Sequence, residues 1–357
     1  MSAWSEEHRH DRMRDAYAQA ARRCPDRIHE TWYSFGGRAV RARIVGNRLA
    51  ERLALPFAHL RCRKTDPSGA RLTIDLWDEL ETGVPAGMDV QPVVGVSSFS
   101  ASRDGRFATS VLQHSIAHFD RQEEHILGVA LEADRLSLYE CGRPLHVPLS
   151  LWYNDRDVPL VHAGLISHNG DGILLAGPSG AGKTTSALSC LAAGFRYLAD
   201  DLAGLELLAD GSAWGHSIYG SAFVDQETLR RLPSLNQHVV PGKYGCEDKQ
   251  LVFISRVNPS RLMGKTRVQA IGLVRVADSG QTRVRPATKG DSLLSMVRSA
   301  LQSGVLSPGR RGFELLGCLS DSVPAFWLEL GRDVEGIPRC IRELLADTGG
   351  LMERRAP

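Results

Sequence analysis

The stretch from Leu160 to Thr185, LVHAGLISHNGDGILLAGPSGAGKTT, limits the possible folds more than any other part of the chain. Gly172-Ile173-Leu174-Leu175-Ala176 is an unbroken apolar run and predicts a buried strand. Gly177 to Thr184 fits G-x-x-x-x-G-K-[ST] at every fixed position. From Thr184 to Ala193, Ala187, Leu188 and Leu191 share one helical face, and Gly194 follows as a C-cap. Upstream, LVHAGLIS predicts a strand that returns through the Asn-Gly turn of HNGDG into ILLAG as an antiparallel hairpin. A strand that feeds a glycine loop and then a helix implies a layered, mixed α/β domain.

The spacing of the loop has a chemical reason. Glycines at 177, 180 and 182 let the backbone curl so that successive N–H groups face one point, where they suit phosphate oxygens. The first turn of the following helix adds its own affinity for anions. In such a loop Ser179, Ala181 and Thr185 contribute backbone or hydroxyl contacts, Lys183 reaches the outer phosphates and the Thr184 hydroxyl ligates the metal. The expected cofactors are therefore ATP and Mg2+, the bland alternative being an ordinary glycine-rich turn.

Length and composition set the frame. The chain has 357 residues, 43% hydrophobic and 24% charged, enough for two domains. A net charge of +2 gives no case for nucleic acid or a membrane surface as partner. The polar, helix-like start has no signal-peptide core, and no run approaches a spanning helix. Seven scattered cysteines, never spaced C-x-x-C, indicate neither a disulfide framework nor a zinc site and fit a cytoplasmic location. The text changes near residue 145. Residues 1–145 predict a smaller, β-rich α+β accessory domain from the strand-like pieces AVRARIVG, LTIDLWDEL, RFATSVL and RLSLYECG. Along the sequence this half shows no His, Cys or carboxylate cluster at ligand spacing. Residues 146–357 hold the loop, after a helical connector at VPLSLWYNDRD.

Two further features flank the loop. His162 opens the first hairpin strand, and a hairpin sets the start of its first strand beside the end of its second, so His162 is expected near the loop. The alternative is a half-buried strand histidine satisfied by a carbonyl. After Gly194, FRYLA predicts a short strand ending in Asp200-Asp201, on the side where α/β sheets bind ligands. Adjacent carboxylates beside polyphosphate are costly unless they hold a metal or share a proton. Pointing opposite ways, they are expected to differ in role: Asp200 toward an acceptor hydroxyl, Asp201 toward the metal. An acidic turn or helix cap is the simpler reading. Farther on, Lys249 opens a predicted strand, residues 261–289 are enriched in Arg and Lys, and VEGIPRCIRELLADTGG predicts a closing helix stopped by glycine.

The combination LVHAG, GPSGAGKTT and GFRYLADD resembles the catalytic domain of the HPr serine kinase/phosphorylase family over residues 160–205, and more weakly to about residue 345. The resemblance implies an HPr kinase/PEP carboxykinase-like P-loop fold and phosphorylation of a serine hydroxyl. It implies Asp200, His162 and Lys183 as catalytic residues, with Thr184 and Asp201 at the metal. Two departures are visible: Lys183-Thr184-Thr185 replaces the family's Lys-Ser-Glu, and the Arg-Gly-x-Gly signature after the aspartates is missing. The layout is closer to HPr kinase-related proteins of biosynthetic clusters. The expected function is an ATP-dependent kinase acting on a protein or peptide, with a ribosomally made precursor peptide as one candidate partner. A small-molecule hydroxyl kinase and a non-catalytic nucleotide-binding regulatory module are the alternatives, and a homo-oligomer is left open.

Overall fold

A computed structural model describes residues 5–63, 69–88, 98–242, 248–302 and 309–353. The chain divides into two units, Met1–Trp152 with Val240–Gln250, and Tyr153–Val239 with Leu251–Pro357.

The first unit begins with helix α1 (Glu6–Arg23), capped by Ser5, whose hydroxyl accepts from His8 N–H at 3.2 Å. Its buried residues Met13, Ala16, Tyr17 and Ala20 recur at helical spacing and pack with Trp77, Leu127 and Val129. Those partners belong to a seven-stranded sheet of β1 (Ile28–Phe35), β2 (Arg38–Val45), β3 (Leu72–Asp78), β4 (Ser98–Ala101), β5 (Phe107–Val111), β6 (Ser115–Asp120) and β7 (His125–Ala130). Its order is β1-β2-β3-β7-β6-β5-β4, with β2, β3 and β7 parallel and the other pairs antiparallel. Short helices α2 (Asn47–Ala54), α3 (Glu79–Thr82), α4 (Leu138–Gly142) and α5 (His146–Asn154) complete the order.

RLSLYECG, expected as a strand, is instead the end of a short 3-10 turn followed by α4 itself. Ser137 and Glu140 form a capping box there, and the box outweighs the alternating pattern. The carboxylate of Glu140, 3% exposed, also accepts from His114 N–H (3.0 Å) and the Ser115 hydroxyl (2.7 Å).

The second unit is built on one large mixed sheet. Its strands are β8 (Leu160–Val161), β9 (Gly164–His168), β10 (Asp171–Ala176), β11 (Arg196–Ala199), β12 (Ala203–Leu207) and β13 (Ala213–Ser217), with β17 (Lys265–Val276), β18 (Arg283–Pro286) and β19 (Ala325–Leu330). Its helices are α6 (Lys183–Ala192), α7 (Gln226–Arg231), α9 (Lys289–Gln302), α10 (Gly309–Ser322) and α11 (Gly336–Glu353). Shorter pieces, β14 (Ser221–Val224), β15 (Val239–Val240), β16 (Gln250–Phe253) and α8 (Ile254–Val257), fall between β13 and β17 in the chain. The sheet runs β11-β9-β10-β17-β13-β12-β8. The long β17 lies parallel to β10 along one edge; along the other it pairs first with β13 and then, parallel, with β19.

The apolar run of β10 reflects burial on both faces. Ile173 and Leu175 pack with Ala187, Leu188 and Leu191 of α6 and Ile341 and Leu345 of α11. Leu174 and Ala176 face Met296 and Ala300 of α9 and Leu316 and Leu319 of α10. Each such Leu or Ile side chain contributes roughly 1.5–3 kcal/mol by leaving water. The hairpin turn is two residues long, and Asn169 (φ 53°) and Gly170 (φ 97°) both take the left-handed backbone that a type I′ turn needs.

Two expectations are corrected here. The strand predicted across Leu160–Ser167 is broken: β8 pairs with β12, and β9 joins β10 only from Gly164 onward, so His162 stands in the gap between them. The closing helix does not stop at Gly349-Gly350 but runs to Glu353, anchored by buried Ile337, Ile341, Leu344 and Leu345. The six described cysteines are free thiols, Cys246 lying outside the described residues. Among the described residues no helix is long and apolar enough to cross a membrane.

Candidate functional site

The site is assembled at one edge of the second unit's sheet, and strand direction explains why. β10 and β11 are both antiparallel to β9, which lies between them, so their carboxyl ends emerge together beside the start of β9. The glycine loop follows β10, Asp200-Asp201 follows β11, and His162 precedes β9. Register fixes the level: Gly164 pairs with Leu175 and Leu165 with Ala199. Two inter-strand spacings put the ends of β10 and β11 about 10 Å apart. A Cβ on Gly164 would make ordinary contacts with Leu175 Cβ (3.4 Å) and the Asp200 carbonyl (3.5 Å), which shows how closely the two strand ends flank the start of β9.

The loop is held from behind by strands far away in sequence. A Cβ on Gly177 would lie 2.7 Å from the carbonyl oxygen of Val274 in β17. One on Gly182 would lie 2.4 Å from Leu330 Cδ1 in β19. Gly182 (φ 95°) is the N-cap of α6, and Gly180 (φ 77°) shares its left-handed backbone. Pro178, Ser179 and Gly180 are exposed, whereas Ala181 is buried at 7%. At the far end of α6 the Gly194 N–H donates to Leu191 O (3.0 Å) and the Phe195 N–H to Cys190 O (2.9 Å), a Schellman motif. Cys190 itself is fully buried and burial drives its thiol pKa upward, so it packs rather than reacts.

Lys183 is only 5% exposed, and its ammonium donates to the carbonyl oxygens of Gly177 (2.8 Å) and Pro178 (3.0 Å). Its charge is thus held inside the curve of the loop. Thr184 and Thr185 are half-buried in the first turn of α6, and the Thr185 hydroxyl shares a hydrogen bond with the Thr228 hydroxyl of α7 at 3.0 Å.

The two aspartates diverge. Asp200 is 2% exposed, and its Oδ2 accepts from the Phe223 N–H at 3.2 Å. The Asp201 side chain is 20% exposed, and its Oδ1 accepts from His162 Nδ1 at 2.8 Å. That bond fixes the imidazole so that Nε2 faces away from the carboxylate.

Sequence reading missed Phe223 and the contact between Thr185 and Thr228. Asp225 caps α7 by accepting from Thr228 N–H at 2.7 Å, so the Asp-x-x-Thr pattern before a helix was an available signal. Phe223 acts through its backbone and left none. Lys249 is half-buried before β16 and belongs to the first unit. In the basic 261–289 region, Arg275 and Arg285 both pair with Glu329, and Lys289 pairs with Asp321 at 3.0 Å.

No protein-family model and no curated protein matches the chain. Among solved structures, the Hpr(Ser) kinase/phosphatase from Coxiella burnetii aligns with a TM-score of 0.32 and 10% identity, over 54% of this chain and 98% of that one. A likeness of that size fixes neither fold nor function.

Proposed function

We propose that the second unit is an ATP- and magnesium-dependent kinase that transfers the γ-phosphoryl group to a serine hydroxyl of a protein or peptide. One observation carries this reading: the glycine loop with Lys183, the Asp200-Asp201 pair and His162 converge on one sheet edge, with β9 alone between the two carboxyl ends. The loop fits a polyphosphate. Its glycines take backbone that side chains would obstruct, its tip is exposed, and Lys183 is buried at its centre.

In this reading Lys183 exchanges the Gly177 and Pro178 carbonyls for the outer phosphate oxygens, a stronger match for an ammonium. Thr184 and Asp201 would hold magnesium, which when bound neutralises charge on the phosphates. Asp200 takes the acceptor proton while the serine oxygen bonds to the γ-phosphorus and the bond to the bridging oxygen breaks, the electron pair leaving with ADP. His162, oriented by Asp201, faces the transferring group with Nε2.

The test uses the full chain with γ-labelled ATP, magnesium and a lysate of the source organism. Label should enter a polypeptide and should not do so with Lys183→Ala. Nucleotide affinity unchanged in Lys183→Ala, measured by calorimetric titration, would refute the loop assignment. Label entering only small molecules would move the acceptor to that class.

A further inference from the structure

Behind the glycine loop the second unit holds a cavity of about 140 Å³. Gly177 and Pro178 close it on the loop side, Leu273 and Val274 of β17 with Trp327 of β19 form the floor, and α9 supplies the remaining wall. Val274 is also the residue whose carbonyl backs Gly177, so an occupant would touch the loop from behind. Leu273 and Val274 are almost fully buried, but Leu294 of α9 is 52% exposed. A ligand entering the cavity would cover it.

Two adjacent polar groups of α9 lack partners. Ser299 is 2% exposed, and its hydroxyl has no hydrogen-bond partner among the described residues. A hydroxyl buried that deeply normally finds one. Arg298 lines the same cavity, is exposed, and forms no ion pair or ring contact among the described residues. The other polar lining is engaged already. Asp291 accepts from the Thr288 N–H (3.0 Å) and hydroxyl (2.8 Å), and it stands two helical turns, about 10 Å, from Arg298. Trp327 carries the Arg275 guanidinium over its ring at 4.5 Å.

What the cavity lacks is therefore an anion for Arg298, a partner for a buried hydroxyl, and apolar bulk. A carboxylate answers a guanidinium through two parallel hydrogen bonds and accepts from a hydroxyl as well. An apolar cavity of roughly 150 Å³ holds a benzene ring, so the space here suits a body of that size. Apolar walls with a few placed polar groups are the usual make-up of a small-molecule site.

We propose that this cavity binds a small aryl carboxylate, its ring against Leu273, Val274 and Leu294 and its carboxylate on Arg298 and Ser299. The inference gives α9 a ligand of its own and does not rest on the phosphotransferase reading.

The experiment is a calorimetric titration of the full chain with phenylacetate, with 2-phenylethanol and 2-phenylethylamine as uncharged and cationic counterparts. Saturable binding of phenylacetate is expected at millimolar concentration or tighter. The alcohol should bind at least about tenfold more weakly, and the amine should not bind. Arg298→Gln should weaken phenylacetate by at least about tenfold and leave the alcohol unchanged. Arg298 is exposed, so this variant should keep the wild-type thermal midpoint. Ser299→Ala removes a hydroxyl without a partner among the described residues, so it should weaken the carboxylate without lowering the midpoint. The inference fails if phenylacetate does not bind at millimolar concentration, if the amine binds equally well, or if Arg298→Gln leaves the affinity unchanged. Displacement of phenylacetate by equimolar inorganic phosphate would also overturn it, because Arg298 would then serve the anion site of the loop.

Discussion

Replacing His118 with glutamine should flatten the acid limb of the first unit's stability curve. His118 is fully buried, shares a hydrogen bond between Nδ1 and the Thr109 hydroxyl at 2.9 Å, and packs 5.3 Å from the His10 ring. Burial, with the neighbouring His10, holds its pKa down to about 3 against an ordinary 6.5. The unfolded chain takes up a proton below the ordinary value while the folded unit does not, so its contribution is complete above pH 6.5 and is lost as pH falls toward 3. At about 1.4 kcal/mol per pH unit, His118 alone removes about 3 kcal/mol between pH 6.5 and 4. That is a large share of the 5–15 kcal/mol typical of a domain. His59 and His146, both lowered by burial to about 4, steepen the same limb. Asp75 and Asp120 are kept below the ordinary carboxylate range because hydrogen bonds from His125 and Arg43, and from Arg106, outweigh their burial. Their contributions are lost only below about pH 4, outside the histidine window. Urea unfolding followed through the buried Trp32 and Trp77 would measure the effect at pH 7, 6, 5 and 4.5. Wild type should lose stability steadily, and His118→Gln should lose about 3 kcal/mol less across the window. Equal slopes in the two proteins, or a wild type as stable at pH 4.5 as at pH 7, would show that the buried imidazole is not the titrating group.

Four other substitutions test other parts of the structure. Asp200→Asn should slow phosphoryl transfer by about 10²–10⁴ with nucleotide affinity preserved, whereas Asp201→Asn should weaken magnesium-dependent binding. Identical behaviour of the two in kinetic and binding assays would end the proposed division of roles. Gly182→Ala combines a left-handed backbone with a Cβ driven against Leu330 and should cost about 1–3 kcal/mol, read as a lower thermal midpoint. Glu140→Ala strips the acceptor from His114, Ser115 and Ser137 and should cost about 2–5 kcal/mol in denaturant titration; a loss under 1 kcal/mol would mean that water replaces the carboxylate.

What the sequence disclosed was local. Asn169-Gly170 announced its turn, Gly194 its helix cap, and the apolar run 172–176 its doubly covered strand, because each signal is complete within a few residues. The break at His162 was hidden: Leu160 and Val161 are as apolar as Leu165 and Ile166, and only their pairing with Gly204 and Ala203 separates them from β9. RLSLYECG carried two patterns at once, alternation and a capping box, and tertiary partners for Glu140 decided between them. The glycines at 349 and 350 looked like a stop, but a helix already anchored by Ile337, Ile341 and Leu345 absorbs a cost of about 1 kcal/mol each. At the sheet edge, His162 and Asp201 could be placed near each other, yet their direct bond could not. The clustered rings of His10, His118 and His125 come from α1, β6 and β7, so no sequence window holds them together.

The origin of the loop's back walls has a consequence for synthesis and truncation. Gly177 rests against the Val274 carbonyl and Gly182 against Leu330, residues that leave the ribosome long after the loop has been made. During translation the GPSGAGKTT segment is therefore complete as a motif while nothing yet shapes it. The first part of β17 can dock beside β10 before β19 exists, so the back of the loop closes in two stages. A product ending between Val276 and Ala325 would keep every residue of the motif and lack the Leu330 wall. The phosphate affinity proposed for the loop should be lost in such a fragment even though the motif is intact.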